Sequence, residues 1–442
     1  MTYKKSRFNV EIDKLQDGRI LLYNTYSGIF GIMDVKTQGM FFNVENIDIT
    51  CINDEELRKN IDIMLQSGYI IDIEKDELAT LKIERDKFRH PQNSMNLTIA
   101  PTLQCNMCCP YCFEDKKDIV MSSDIQDKLF NFVETHFAAY PTIKKLSVQW
   151  YGGEPLMEKD VIYNLSEKFI KFCEEKGATY SASMITNGAL LDGETAKRLS
   201  EDCKVNYVQI TMDGMKENHN KRRILVSGED SFEIIMKNIE ESKDYLSISV
   251  RVNVDKTNNE DIMVLTKYFL EEKGWTDNPI IYLAPVEEFT ENCLVGESSC
   301  LDGEQFAEID IECVRAIHAV NRNSIAHKFF PRRKSVFCSG EGMNHYVVDP
   351  EGYTYTCYVN IGEEKNRLGH IDKPFVINTE YGKWLTTDIP KDCEPCEYLP
   401  MCMGGCGFHR INGDGSPKCF KTFYTYKDIL KLAHEDYVAQ KK

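Results

Sequence analysis

From residue 95 the chain alternates between short apolar runs of strand character and longer amphipathic segments. The runs fall at 96–101, 145–151, 180–186, 205–211, 247–254 and 279–284. The segments at 122–137, 159–176, 192–200, 231–242 and 258–273 carry apolar residues at helical spacing. A helix inserted between consecutive strands forces parallel pairing, because only antiparallel strands can be joined by a tight turn. The crossovers are then right-handed. Six such units fall short of the eight that close a barrel, so the pattern predicts an α/β fold built on a partial (β/α)6 TIM barrel. In such sheets ligands gather at the carboxyl ends of the strands.

The loop after the first run reads Cys105-Asn-Met-Cys-Cys-Pro-Tyr-Cys112, and Cys105, Cys109 and Cys112 give C-x3-C-x2-C. Three thiolates on one short loop can hold three irons of a cubane cluster and leave the fourth iron open. Zinc asks for four ligands, usually as paired C-x2-C units, and buried structural thiols are the plainer alternative. The next strand ends in Tyr151-Gly152-Gly153-Glu154-Pro155. Two glycines admit a close backbone approach, and the carboxylate beside them can accept from an ammonium. The third ends in Thr186-Asn187-Gly188, whose small hydroxyl and amide suit a ribose or a capped turn. The fourth ends in Thr211-Met-Asp-Gly214, followed by His219, Arg222 and Arg223. On the fifth, Arg251 and Asn253 share one face, and an inward Arg251 can grip a carboxylate with two bonds.

A second group of cysteines closes the chain: Cys338-x13-Gly352-x4-Cys357, then Cys393-x2-Cys396-x5-Cys402-x3-Cys406, then Cys419. The total of 17 cysteines is odd, which argues for metal over a disulfide framework. A net charge of −17 disfavours nucleic acid as a partner and permits a basic peptide. No run of eighteen apolar residues stands out as a membrane span, and no apolar h-region follows the first residues. A cytoplasmic protein with no membrane partner is expected.

The first ninety residues read differently. Strands are predicted at 8–12 and 19–23 around an Asp17-Gly18 turn, and a third apolar run follows at 29–34. A helix over 54–67, with Asp54 near its N-cap, leads through Gly68 to another strand. This order resembles a winged helix-turn-helix, and more narrowly the peptide-recognition element of enzymes that modify ribosomally made peptides. Such elements take up a leader peptide as an added strand.

Taken together, the two cysteine groups and the strand ends resemble the radical S-adenosylmethionine (SAM) superfamily, in particular its SPASM-domain peptide maturases. The resemblance implies four regions: a winged helix-turn-helix-like domain (1–90), the barrel (95–290), a bridge (291–335) and a SPASM domain with a C-terminal helix (336–442). Cys105, Cys109 and Cys112 would carry the SAM-binding [4Fe–4S] cluster, where one electron cleaves SAM to a 5′-deoxyadenosyl radical. Tyr111, Gly152, Gly153, Glu154, Thr186, Asn187 and Arg251 would contact SAM. Cys393, Cys396, Cys402 and Cys419 would ligate one auxiliary [4Fe–4S] cluster, and Cys338, Cys357 and Cys406 a second, for three clusters in all. Asn344 stands where sulfatase-maturing relatives place a further ligand, so Cys293, Cys300 or Cys313 fills that place or one iron is open. Tyr358 stands where those relatives carry an aspartate base. The implied activity is hydrogen abstraction from a precursor peptide held by its leader, followed by a thioether crosslink, with an electron donor such as flavodoxin or ferredoxin. Carbon–carbon or carbon–oxygen crosslinking and formylglycine-type protein maturation are the alternatives.

Overall fold

The computed structural model describes residues 2–43, 47–48, 52–91, 93–290, 293–294, 296–374, 376–413 and 415–440. They form two compact units. The first comprises Met1–Arg89, Arg322–Glu341 and Thr387–Lys442; the second comprises His90–Asn321 and Gly342–Thr386. This division differs from the boundaries expected along the chain, because residues 336–442 contribute to both units.

The first unit opens with β1 (Thr2–Lys5), β2 (Asn9–Lys14), β3 (Ile20–Asn24), β4 (Ile29–Met33), α1 (Val35–Asn43), β5 (Ile47–Asp48), α2 (Glu55–Gln66), β6 (Ile70–Asp72) and α3 (Glu77–Arg89). β2, β3 and β4 form an antiparallel sheet, and β1 pairs with both β5 and β6. Asp54 caps α2 by accepting from the Leu57 amide, which satisfies an otherwise orphaned donor. All five residues of β3, Ile-Leu-Leu-Tyr-Asn, are buried. A strand apolar at consecutive positions must be covered on both faces. Ile20 and Leu22 pack with Met33, Phe41, Ile61 and Met64. Leu21 and Tyr23 pack with Val10, Ile12, Tyr398, Met401, Tyr426 and Leu430. The second face is therefore covered by the C-terminal cysteine-rich segment.

The second unit holds the predicted repeats. Its strands are β7 (Ser94–Ile99), β8 (Lys145–Trp150), β9 (Thr179–Thr186), β10 (Val205–Thr211), β11 (Ser247–Val254) and β12 (Ile280–Pro285), parallel and adjacent in chain order. Its helices are α4 (Ser123–Ala139), α5 (Lys159–Lys176), α6 (Gly193–Glu201), α7 (Lys216–Arg222), α8 (Ser231–Ser242), α9 (Ile262–Lys267), α10 (Gly303–Val320) and α11 (Thr379–Thr386). The single helix expected over 258–273 is instead a 3-10 turn, α9 and a π turn over Tyr268–Glu272, beside the stacked rings of Phe269 and Trp275. The sheet is also wider than expected. β13 (His345–Val348) pairs parallel with β7, and β14 (Tyr353–Tyr355) and β15 (Gly369–His370) follow antiparallel, which makes nine strands.

Strand residues alternate between faces. Leu146, Val148 and Trp150 of β8 are buried, whereas Ser147 and Gln149 are half-buried. The latter lie in register with Ser181 and Ser183 of β9, and Gln209 and Arg251 continue the half-buried polar positions on β10 and β11. A closed barrel fills its interior with branched apolar side chains. This face is polar instead, as a site for a polar ligand requires. The first unit is completed by α12 (Leu399–Cys402), α13 (Gly407–Asn412) and α14 (Thr422–Gln440). Among the described residues no helix is long and apolar enough to cross a membrane.

Candidate active site

The Cys105–Cys112 loop follows β7, at the carboxyl end of the sheet. Both of its sides are held. The Cys108 amide donates to the Ile224 carbonyl (2.7 Å) and the Val226 amide to the Asn106 carbonyl (2.9 Å). On the other side, the Leu294 amide donates to Pro110 O (2.8 Å) and the Thr290 hydroxyl to Phe113 O (2.7 Å). Cys293 thus lies beside this loop, while Cys313 is buried in α10 against Thr266. Cys105, Cys109 and Cys112 are free and half-buried, whereas Cys108 is exposed. Burial pushes the Cys105 thiol up to about 12 and Cys112 to about 11. Such thiols stay protonated in water-like conditions, and a bound metal ion removes the proton outright. The donor set therefore fits an iron–sulfur cluster. Among the described residues no three His, Cys, Asp or Glu side chains converge where a single ion would sit. A cubane does not ask for that convergence, because its thiolates bind different irons.

Gly152 and Gly153 press against this loop. A Cβ on Gly153 would stand 2.1 Å from Gln104 O, and one on Gly152 2.4 Å from Thr102 O. The close approach is thus to the chain's own cysteine loop. Glu154 is fully buried. It accepts from the Leu156 amide (3.0 Å), the Thr186 hydroxyl (2.7 Å) and the Asn187 amide (2.7 Å). Its carboxylate joins the ends of β8 and β9, and its own amide donates to Gln104 O (2.8 Å). Burial raises its carboxyl pKa against the pull of these donors. Glu154→Gln turns an NH2 group toward at least one chain donor. A loss of about 1–3 kcal/mol in denaturant unfolding is expected, the penalty for an unmatched buried polar group. Asn187 bridges onward: its Nδ2 donates to Asn106 Oδ1 (2.6 Å) and lies 3.9 Å from Cys105 Sγ.

Tyr111 reaches the residues that follow β10. Its hydroxyl pairs with the Asp213 carboxylate and accepts from Arg223 (3.1 Å), and the Arg222 guanidinium lies 5.0 Å from the ring centroid. Burial opposes charge on Arg223, but its neighbours Cys109, Tyr111 and Asp213 outweigh that and hold it firmly protonated. A fixed positive charge thus sits beside one cysteine of the loop. Arg251 donates to Asn253 Oδ1 (2.7 Å), and Asn253 Nδ2 reaches toward the Tyr111 hydroxyl (3.5 Å). Arg251, Asn253 and Tyr111 therefore form one chain of polar contacts above the sheet.

Glu114 carried no expectation from sequence, although it stands two residues after Cys112. Burial pushes its carboxyl up to about 7, against the Tyr151 hydroxyl and the Lys116 ammonium. Its Oε2 is out of solvent contact and has no hydrogen-bond partner among the described residues.

In the first unit the C-terminal cysteines fall into two sets. Burial raises the Cys393, Cys396 and Cys402 thiols, and Cys419 lies close enough to push all three further the same way. Cys338 is held up by burial and feels Cys406 instead. Cys357 belongs to the second unit.

Residues 99–269 match the family model of the Radical SAM superfamily. This part of the chain is a radical SAM domain, and the protein is a radical SAM enzyme. A cysteine-type anaerobic sulfatase-maturating enzyme of Clostridium novyi is 25% identical over 374 residues, covering 77% of this chain and 97% of its own. The solved structure of native anSMEcpe with bound AdoMet and the Cp18Cys peptide aligns with a TM-score of 0.61 at 21% identity, over 77% of this chain and 99% of that one. Streptococcus suis SuiB bound to its precursor peptide SuiA aligns with a TM-score of 0.51 at 14% identity, over 95% and 98%. A radical SAM domain implies SAM and a [4Fe–4S] cluster.

Proposed function

We propose that this enzyme modifies a ribosomally made precursor peptide, forming a thioether between a cysteine sulfur and a carbon. The observation that carries the reading is the first unit, where the N-terminal sheet and the C-terminal cysteines share one core. The likeness to the sulfatase-maturating enzyme takes in 77% of the chain, and the likeness to SuiB with its precursor peptide takes in 95%. A leader peptide would add to the outer edge of β4, which pairs only with β3 among the described residues.

A cluster and SAM held here would supply radical chemistry for hydrogen abstraction. The chain's part is to hold the loop, orient SAM and the peptide, and exclude water. Cys105, Cys109 and Cys112 would hold that cluster. Arg251, with Asn253, would take the carboxylate of SAM, and Thr186 and Asn187 would lie along its ribose. Glu154 would act by setting the strand ends, with Gly152 and Gly153 seating the loop. Cys393, Cys396, Cys402 and Cys419 would hold one auxiliary cluster, and Cys338 with Cys406 would serve a second, taking up the surplus electron. Flavodoxin or ferredoxin would supply the first electron.

Formylglycine-type maturation is the second reading, favoured by the sulfatase-maturating likeness. Tyr358, in place of the aspartate base, counts against it. The test is co-expression with a candidate precursor peptide, read by intact mass. Two hydrogens lost per link are expected for a thioether, and a cysteine converted to an aldehyde without a link overturns it. Roughly twelve irons per chain are expected for three cubanes. Cys105→Ala is expected to lose about four of them and to yield no 5′-deoxyadenosine, measured by chromatography of the reduced, SAM-treated protein.

A further inference from the structure

Asn187 follows the last residue of β9 and is buried. Its side-chain oxygen accepts from the Ala189 amide (2.9 Å), which fixes the orientation of the carboxamide. The NH2 group is therefore the end that faces the cysteine loop. It donates to Asn106 Oδ1 (2.6 Å) and lies 3.9 Å from Cys105 Sγ. Its two hydrogens thus meet two acceptors. The turn that carries Asn187 is held on both sides. The Asn187 amide donates to Glu154 (2.7 Å), and Asn238 Nδ2 donates to Gly188 O and Ala189 O (2.9 Å each). Gly188 has a φ of +84°, and a Cβ there would stand 2.7 Å from the Ile210 side chain. The amide is thus set in place before any cofactor binds.

Hydrogen bonds to the cysteine sulfurs are among the levers that set the potential of an iron–sulfur cluster. Reduction adds negative charge to the cluster and its sulfurs, so a donor fixed at a sulfur favours the reduced form. We propose that Asn187 donates an N–H···S hydrogen bond to the Cys105 sulfur and so raises the reduction potential of a cluster held by Cys105, Cys109 and Cys112. This role needs no SAM and is separate from the ribose contact proposed above. It rests on Cys105 being a cluster ligand. The Met107 amide donates to the same sulfur. That donor is backbone and stays in every side-chain variant, so substitution at 187 isolates the second donor.

The test is a redox titration of the reconstituted full chain without SAM, read by electron paramagnetic resonance. The signal to follow is the one that SAM perturbs when added afterwards. Asn187→Leu keeps the branched shape of the side chain and removes the donor. Its reduction equilibrium is expected to move about tenfold toward the oxidised form, about 59 mV for a one-electron couple, with iron content unchanged. Asn106→Ala removes the brace and keeps the donor, and the native potential is expected there. A native potential in Asn187→Leu overturns the proposal, whether or not SAM binding weakens. An equal fall in Asn106→Ala also overturns it, because the brace alone would then be responsible. Should Asn187→Leu not load iron, the Asn106→Ala chain labelled with [15N]asparagine decides. Its reduced cluster should show a 15N coupling in the electron spin echo, and the absence of that coupling overturns the proposal. Cys105→Ala separates this idea from the ligand assignment. Full iron in that chain rejects Cys105 as a ligand, whereas iron loss there with a native potential in Asn187→Leu rejects the hydrogen bond alone.

Discussion

A chain carrying Gly153→Ala is expected to keep its sheet and fail to assemble the cluster proposed for Cys105, Cys109 and Cys112. The new methyl group would stand 2.1 Å from Gln104 O, 2.6 Å from Gln104 C and 2.8 Å from Leu103 O. All three are backbone atoms of the segment that leads into Cys105, so no side chain can swing aside. Overpacking of this kind usually costs about 1–3 kcal/mol, and the cheapest relief is to push the cysteine loop off β8. That movement breaks the Glu154 amide's bond to Gln104 O and the Gly153 amide's bond to Thr102 O. About four irons per chain should be lost, and 5′-deoxyadenosine formation should fall below detection with every cysteine in place. Gly382→Ala, in α11 with nothing near its added methyl, should load fully and gain up to about 1 kcal/mol of stability. Full iron loading and normal SAM turnover in Gly153→Ala would remove the glycine's proposed role.

Glu341→Ala is expected to destabilise the first unit by about 3–5 kcal/mol, the usual result of removing one partner from a buried ionic cluster. Glu341 is fully buried and receives Arg85 at 2.7 Å and Arg410 at 2.5 Å, both guanidinium groups being buried too. Arg85 also donates to Thr387 O, Arg410 to Asp388 O, and Arg89 to the Glu341 carbonyl. The cluster ties α3 to the segment carrying Cys338 and to α13, which begins just after Cys406. Equilibrium unfolding in denaturant should show the loss, and iron content should fall with it. Replacing the whole triad, with Glu341→Leu, Arg85→Met and Arg410→Met together, should recover most of the stability, because no unpaired charge stays buried. A triple variant as unstable as Glu341→Ala would mean that the three side chains are needed for shape rather than for charge balance.

The six parallel strands were legible because each is a short apolar run between amphipathic helices, and local periodicity is what sequence shows best. β13 was not legible. His345-Tyr-Val-Val is a four-residue run whose partner, β7, lies some 250 residues earlier, as the pairing His345↔Asn96 shows. No local signal reports such a pairing. The cysteine loop and the glycine pair were legible as motifs, but which surface the glycines approach was not. Both a ligand and a neighbouring loop explain a missing Cβ equally well in sequence. Glu114 was missed for a related reason. One acidic residue in a charged Glu-Asp-Lys-Lys stretch looks like solvated surface until the fold takes its Oε2 out of solvent contact. The burial of β3 was partly legible, since Ile-Leu-Leu-Tyr has no polar alternation, but what covers its second face was not.

The doubly covered β3 strand bears on how this enzyme could be retargeted. Swapping only the first ninety residues for those of a relative would place a foreign strand against Tyr398, Met401, Tyr426 and Leu430. The graft would also have to supply Tyr23 for Pro331 O and Thr25 for Glu397 O. The two ends of the chain behave as one cassette, and a chimera should exchange them together with residues 322–341. On the proposed assignment of leader and auxiliary cluster to this unit, substrate choice and electron disposal would be inherited as a pair.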